Sequence, residues 1–357
     1  MSDVWGKNIQ FTIFGESHGV AIGGVLSSLP SGVEIDFDAI NYELERRNHR
    51  ASYSTPRAEA DEYEILSGVY NGKTTGSALA FIIRNQDTKS GDYANLNNTP
   101  RPGHADYPAS LRYDGFNDYR GGGHFSGRLT APLVVAGAIA KQILKAKGID
   151  VFAHILSIGN VCGKSLADGV KADELNNVRQ KLFAADDSLE QDMMAEIEKY
   201  RKDGNSIGGI IECAISNMPV GIGEPFFESV ESRLSSMLFS IPAVKGVEFG
   251  KGFEITKMSG FDANDNYRYV DGKIVTDTNN NGGLLGGITN GAPIIFKTAI
   301  KATPSISIEQ NTVDLEKREN TTLKIKGRHD TCIVPRAVPV VEAAASLVIL
   351  DMLQGRM

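Results

Sequence analysis

Four of the six histidines stand in turns rich in glycine or aspartate: His18 in GESHG, His104 in RPGHAD, His124 in RGGGHFSGR and His329 in KGRHD. The other two are His49 and His154. Imidazole titrates near neutral pH, so a pair of such groups can give and take protons without a large pKa shift. A loop histidine taken alone is usually a hydrogen-bonded surface group. Four in such settings, with Asp330 beside His329, point to catalysis, because loops held on rigid elements are where catalytic groups concentrate.

Arginines accompany these turns. Arg46, Arg47, Arg50, Arg101, Arg120, Arg128, Arg328 and Arg336 recur beside glycine, histidine or serine. The guanidinium fork suits two-point recognition of carboxylate and phosphate. For Arg46 and Arg47, at the end of a helical pattern, compensation of the helix dipole is an equally good reading. RGGGHFSGR leads into an apolar helix. Its glycines clear an approach to backbone N–H groups, and Ser126 and Arg128 add a hydroxyl and a charge. It is not a P-loop, and no GxGxxG opens a helix after a strand. NGGLLGG (281–287) and KATPS (301–305) offer further donors or simple turn chemistry.

The 357 residues carry a formal net charge of -7 and no basic run, which argues against a nucleic-acid partner. Cationic residues gathered at turns of an acidic chain suggest a local anion pocket. Cys162, Cys213 and Cys332 are far apart and form no CxxC pair, so neither a disulfide framework nor a thiolate zinc site is expected. No metal is expected. The N-terminus has no charged-then-apolar signal pattern. No uninterrupted apolar run reaches roughly 18 residues, so a membrane association is not expected and a cytoplasmic location is.

These turns need elements to hold them. Residues 9–14 read as a strand entering GESHG. Asp36 caps a helix over 37–47 whose apolar residues are Phe37, Ile40 and Leu44. Two β-rich runs follow, EYEILSGVYNG and GSALAFIIRN. The interval 85–127 is mostly polar turn residues, and loops of that length are functional or disordered. A buried helix spans about 128–146 and a strand 151–160. Surface helices are read at 172–183 and 187–203, a strand in SIGGIIECAISNMP and a helix in GEPFFESVESRLSSMLFSI. VKGVEFGKGF and APIIFKTAIKA are strands, and a final helix covers about 338–353. Motifs occur along the whole chain with no linker between them, which predicts one interwoven α/β domain over 1–357.

Three segments resemble the chorismate synthase family: GESHGVAIGGVLSSLPSG (15–32), GGGHFSGRLTAPLVVAGAIA (121–140) and RHDTCIVPRAVPVVEAAAS (328–346). ERR, RPGHADY, AVKGVE, NNGGLLGGI and KATPS support them in the same order. The resemblance implies helices sandwiched between antiparallel β-sheets, an α+β arrangement. It implies elimination of phosphate from 5-enolpyruvylshikimate 3-phosphate, giving chorismate with reduced FMN as a cofactor that is not consumed. It also implies a homotetramer and, for a chain of the monofunctional type, an external flavin reductase.

The same resemblance assigns residues. His18, His104 and Asp330 would be catalytic: His18 at the phosphate, His104 at the flavin's pyrimidine edge, Asp330 near its central nitrogen. FMN would meet His124, Phe125, Ser126, Pro242, Ala243, Gly286, Lys301, Ala302, Thr303, Pro304, Ser305 and Arg328. Substrate would meet Ser17, Arg47, Arg128 and Arg336. Arg47 also matches a position associated with nicotinamide nucleotide (NADP) in some members. Relatives carry Arg-Ser-Ser-Ala-Arg where this chain has His124–Arg128, and often Asn at Pro242. Their loop after Arg47 is longer by one residue, and Arg50 is the candidate to supply its charge. The rival readings are a metal hydrolase built on His18, His104, His124 and Asp330, which lacks HExxH, and a non-catalytic anion- or flavin-binding module.

Overall fold

The computed structural model describes residues 3–48, 61–86, 98–168, 188–325 and 329–355. Two five-stranded antiparallel sheets form its outer layers. The first contains β1 (Val4–Trp5), β2 (Gln10–Gly15), β3 (Ala21–Ser27), β4 (Tyr63–Ser67) and β5 (Leu79–Arg84), in the order β1-β2-β3-β5-β4. The second contains β6 (Asp150–Ile158), β7 (Val161–Cys162), β8 (Gly209–Ser216), β9 (Val244–Phe249) and β10 (Ile294–Ile300), in the order β9-β10-β8-β6-β7. Between them lie α1 (Phe37–Arg47), α3 (Thr130–Ala146) and the last helix, α7 (Val334–Gln354). The short α2 (Asp106–Arg112) precedes α3, and the other α-helices among the described residues are α4 (Ser188–Lys202), α5 (Val230–Leu238) and α6 (Gly260–Ala263). One continuous apolar core joins α1, α3 and α7 to both sheets, as the sandwich expectation required.

Local chemistry explains the central helices. Asp36 caps α1 by accepting a hydrogen bond from the Ala39 N–H at 3.0 Å, as its sequence suggested. Ile40 and Leu44 are buried, whereas Phe37 is exposed. In α3 the burial is nearly all round, because α7 crosses one side and a sheet covers another. The crossing is close: a Cβ on Gly137 would lie 2.3 Å from the Ala343 Cα. Helix α7 starts at Val334, four residues before the expected 338. Pro335 occupies its first turn, where a missing N–H is harmless, and Pro339 is accommodated inside. By length and composition Gly127–Ala146 and Val334–Gln354 could cross a membrane, but 72% and 83% of their apolar windows are buried inside this fold.

Two departures concern loops. The described part of 85–127 contains α2 and a 3-10 turn at Arg120–Phe125. The segment before α3 is a separate 3-10 turn, Gly127–Leu129. The helix expected at 172–183 lies outside the described residues.

Strand register decides what meets at one end of the first sheet. Gly15 pairs with Ile22, so the GESHG turn closes the β2–β3 hairpin there. Ala21 pairs with Arg84, which brings Asn85 to the same end. Tyr63 pairs with Ile83, so Asp61 arrives there just ahead of β4. The C-terminus of α1 and the N-termini of α3 and α7 reach this end too, tied by Arg47 and Arg336.

Candidate active site

Three consecutive glycines organise the centre. Gly121, Gly122 and Gly123 have φ of 61°, 87° and 54°, the left-handed region glycine tolerates. A Cβ on Gly121 would lie 2.6 Å from His18 Nε2 and 2.9 Å from Ser17 Oγ. A Cβ on Gly122 would lie 3.3 Å from His104 Nε2. His18 and His104 therefore flank successive residues of one bare backbone turn. The Ser17 N–H donates to the Gly123 carbonyl at 3.1 Å, locking the GESHG turn to the glycines. Ser17 is fully buried, and among the described residues its Oγ has no hydrogen-bond partner. A buried orphan hydroxyl calls for an explanation, and a ligand in this corner is one.

Arginines form the floor. Arg128 donates from Nε to Asn85 Oδ1 at 3.1 Å and from Nη1 to Asp61. Asn85 in turn donates to the carbonyls of Glu16 and Gly19, at 3.0 and 2.9 Å, on either side of Ser17 and His18. Arg47 donates to Asp61 at 2.7 Å, to Thr130 Oγ1 at 2.9 Å and to the Gly127 carbonyl at 3.0 Å. Its fork is thus spent on fixing the start of α3 against Asp61. Ser126 caps the Gly127–Leu129 turn through the Arg128 N–H at 3.2 Å. Arg336 pairs with Asp330 at 3.0 Å and donates to the Arg47 carbonyl at 3.1 Å.

The RPGHAD turn and KATPS form one wall. Arg101 donates from Nε to Asp106 at 2.7 Å and from Nη1 to Ser305 Oγ at 3.4 Å. Lys301 donates to the Gly103 carbonyl at 2.5 Å, and its own N–H donates to the Ala243 carbonyl at 2.9 Å. Burial, then the nearby Lys245, lower the Lys301 pKa. Pro304 faces Gly103, and the Thr303 carbonyl accepts from Ser206 at 2.7 Å. The segment from Lys301 through Ala302 to Ser305, with Pro242 and Ala243 behind it, therefore borders His104. His329 has its pKa lowered by burial first and by Arg101 second, and its buried Nε2 has no hydrogen-bond partner among the described residues.

Other assigned residues fall differently. His124 hydrogen-bonds through Nδ1 to the Gly15 carbonyl at 2.8 Å, so its side chain braces the end of β2. Phe125 stacks at a tilt on Tyr113, centroids 6.1 Å apart. Gly286 lies in the Leu284–Thr289 turn, whose neighbouring Gly287 carbonyl accepts from Val230 at the start of α5. Arg50 and Arg328 lie outside the described residues. Asp61, Asn85 and Asp106 are site-forming residues that sequence reasoning missed. Only Asp106 had a signal, its place within RPGHAD. Among the described residues, no three His, Cys, Asp or Glu side chains converge as a metal site.

A sandwich with loop imidazoles and carboxylate-paired arginines gathered at one sheet end is the scaffold of an α+β enzyme for a small, multiply anionic substrate. Residues 9–354 match the family model for chorismate synthase, and the chain belongs to that family. It is 48% identical over 351 residues to the chorismate synthase of Thermococcus kodakarensis, covering 98% of this chain and 97% of the relative. For the Dehalococcoides mccartyi chorismate synthase the identity is 43%, covering 99% and 96%. A crystal structure of chorismate synthase superposes with a TM-score of 0.76 at 29% identity, covering 99% of this chain and 93% of that one.

Proposed function

We propose that the chain eliminates phosphate from 5-enolpyruvylshikimate 3-phosphate to give chorismate, the last step of the shikimate pathway, with reduced FMN bound in the same site. The carbon–hydrogen electron pair becomes a ring double bond, the existing double bond shifts, and the carbon–oxygen pair leaves with phosphate. Family membership supports the reaction. The observation that carries the site is the corner at Gly121, where His18 Nε2 and the orphan Ser17 hydroxyl converge.

The chain's residues then have distinct tasks. His18 hydrogen-bonds or protonates the departing phosphate, and Ser17 donates to the same group. Arg128 and Arg336 receive anionic groups, while Arg47 fixes the α3 start behind them. Asp330, held by Arg336, accepts the proton lost from the ring. His104 holds a proton at the edge of the cofactor. Acid–base help of this kind contributes roughly 10²–10⁴-fold each.

The residues fit FMN. The bare turn at 121–123 lets His18, Ser17 and His104 close on the backbone where a Cβ would collide, and Lys301 presents a cation beside them. His124–Ser126, Pro242, Ala243, Lys301–Ser305, Arg328 and Gly286 would hold it. When bound, reduced FMN supplies electron density to the carbon losing phosphate and recovers it.

We further propose a homotetramer, to which exposed Phe226, Phe227, Phe253 and Phe261 offer apolar surface. A cytoplasmic location accords with three free cysteines, two of them buried. An external reductase would deliver the flavin, with NADP a candidate nucleotide near Arg47. The deciding experiment is anaerobic: supply substrate and photoreduced FMN, and follow chorismate absorbance. No product would sink the reading. Loss of activity with EDTA and its return with zinc would favour a metal hydrolase.

A further inference from the structure

We propose that Asp106 is a positioning residue for His104, fixing which ring nitrogen carries the proton. His104 Nδ1 lies 2.6 Å from Asp106 Oδ1. Arg101 Nη2 donates to the same oxygen at 2.8 Å. The second oxygen accepts from the Arg101 N–H at 3.0 Å and from Arg101 Nε at 2.7 Å. The carboxylate is buried, which opposes its charge, but hydrogen bonds from Arg101 and His104 outweigh this and hold its pKa far below the usual range. Asp106 is therefore an acceptor only.

That settles the tautomer. Arg101 Nη2 also lies 3.1 Å from His104 Nδ1. A guanidinium can only donate, so it bonds Nδ1 only if Nδ1 carries no proton. The shorter contact, to an ionised acceptor, wins: Nδ1–H donates to Asp106, and both donors converge on one oxygen. Nε2 is left as the exchanging nitrogen, and it is the one beside Gly122. Asp106 is also the first residue of α2 and ties its loop through Arg101, so a purely structural role is the competing explanation.

The inference rests on the proposed role of His104, but its first test does not. Long-range proton–nitrogen spectra of the protein with nitrogen-15-labelled histidine read the tautomer, the His104 signals being those absent from His104→Ala. The expected result is a protonated Nδ1 in the native chain, and a bare Nδ1 with the proton on Nε2 there overturns the proposal without any variant. In Asp106→Asn an amide N–H or Arg101 can donate to Nδ1. The tautomer should reverse, and kcat should fall by at least about 10²-fold, the low end for a positioned acid–base group, while KM holds. Asp106→Glu, which keeps the acceptor, should keep the native tautomer. A folded Asp106→Asn with the native tautomer, or with KM raised and kcat unchanged, overturns the positioning role. Native turnover in His104→Ala would remove His104 from the mechanism while leaving the tautomer result intact.

Discussion

Asp61→Ala would remove a fully buried carboxylate from between two guanidinium groups whose side chains are 5% and 6% exposed. At about 4 Å and an effective dielectric of about 20, each opposite-charge pair contributes roughly 4 kcal/mol. Both are lost, and Arg47 and Arg128 lose the charge that separates them. Against this, the variant no longer desolvates a carboxylate, which by itself costs several kcal/mol. The net expectation is a loss of about 3–5 kcal/mol, the usual result of removing one partner from a buried pair. That is a large part of the roughly 5–15 kcal/mol that stabilises a typical domain. Urea denaturation followed by circular dichroism measures it. Adding inorganic phosphate supplies the internal control, because an anion can replace the missing carboxylate. Phosphate should therefore stabilise Asp61→Ala more than the native chain, by up to about 2.7 kcal/mol at a hundredfold excess over its Kd. A loss below about 1 kcal/mol, no more than an ordinary substitution, would refute the shared-counterion reasoning, and so would equal stabilisation of both chains by phosphate.

Gly121→Ala places a methyl group 2.4 Å from the His18 ring at a φ of 61°. It should cost roughly 1–3 kcal/mol of strain and abolish most turnover; near-native kcat would show that the glycine is not what brings His18 into place. Gly137→Ala drives a methyl into Ala343 between α3 and α7, so thermal stability should drop by at least about 1–3 kcal/mol, whereas kcat of the folded enzyme should hold. Glu342→Gln concerns a carboxyl whose charge burial opposes, yet which Arg46 and Lys141 hold well below the ordinary glutamate range. A depressed pKa contributes stability in full above about pH 4.3, the unfolded value, and loses it as pH falls toward the folded one. Acid titration of stability should thus be steeper for the native chain than for Glu342→Gln, and parallel curves would refute the assignment.

The parts of this molecule that sequence exposed are those with local causes. Asp36 and the spacing of Ile40 and Leu44 mark α1 to the residue, because a cap and a 3.6-residue period act within one segment. The four histidine turns were visible for the same reason, and ordered motifs named the family. Asp61 and Asn85 were not visible. Each is a polar residue beside a strand, and nothing in its neighbours distinguishes it from turn chemistry. Its role comes from register: Tyr63 opposite Ile83 and Ala21 opposite Arg84 carry both to the GESHG turn. Such pairing is a long-range fact. Arg47 shows the converse. Its residue type announced anion recognition or helix-dipole compensation, yet buried neighbours at Thr130, Gly127 and Asp61 take up its donors.

The pairing of these charges explains how an acidic chain can keep an anion site ready. Unpaired buried guanidinium groups would repel one another and destabilise the fold, while fully neutralised ones would have no attraction left for a ligand. Here Arg47 and Arg128 share Asp61, Arg101 holds Asp106, and Arg336 holds Asp330. Among the described residues each of these four guanidinium groups is held by a carboxylate. Arg128 is tied through Asn85 to the carbonyls of Glu16 and Gly19, which flank Ser17 and His18. The carboxylates thus do two jobs. They make burial of the arginines tolerable, and they hold each fork in a fixed direction, so that little reorganisation is required when the substrate's charge arrives.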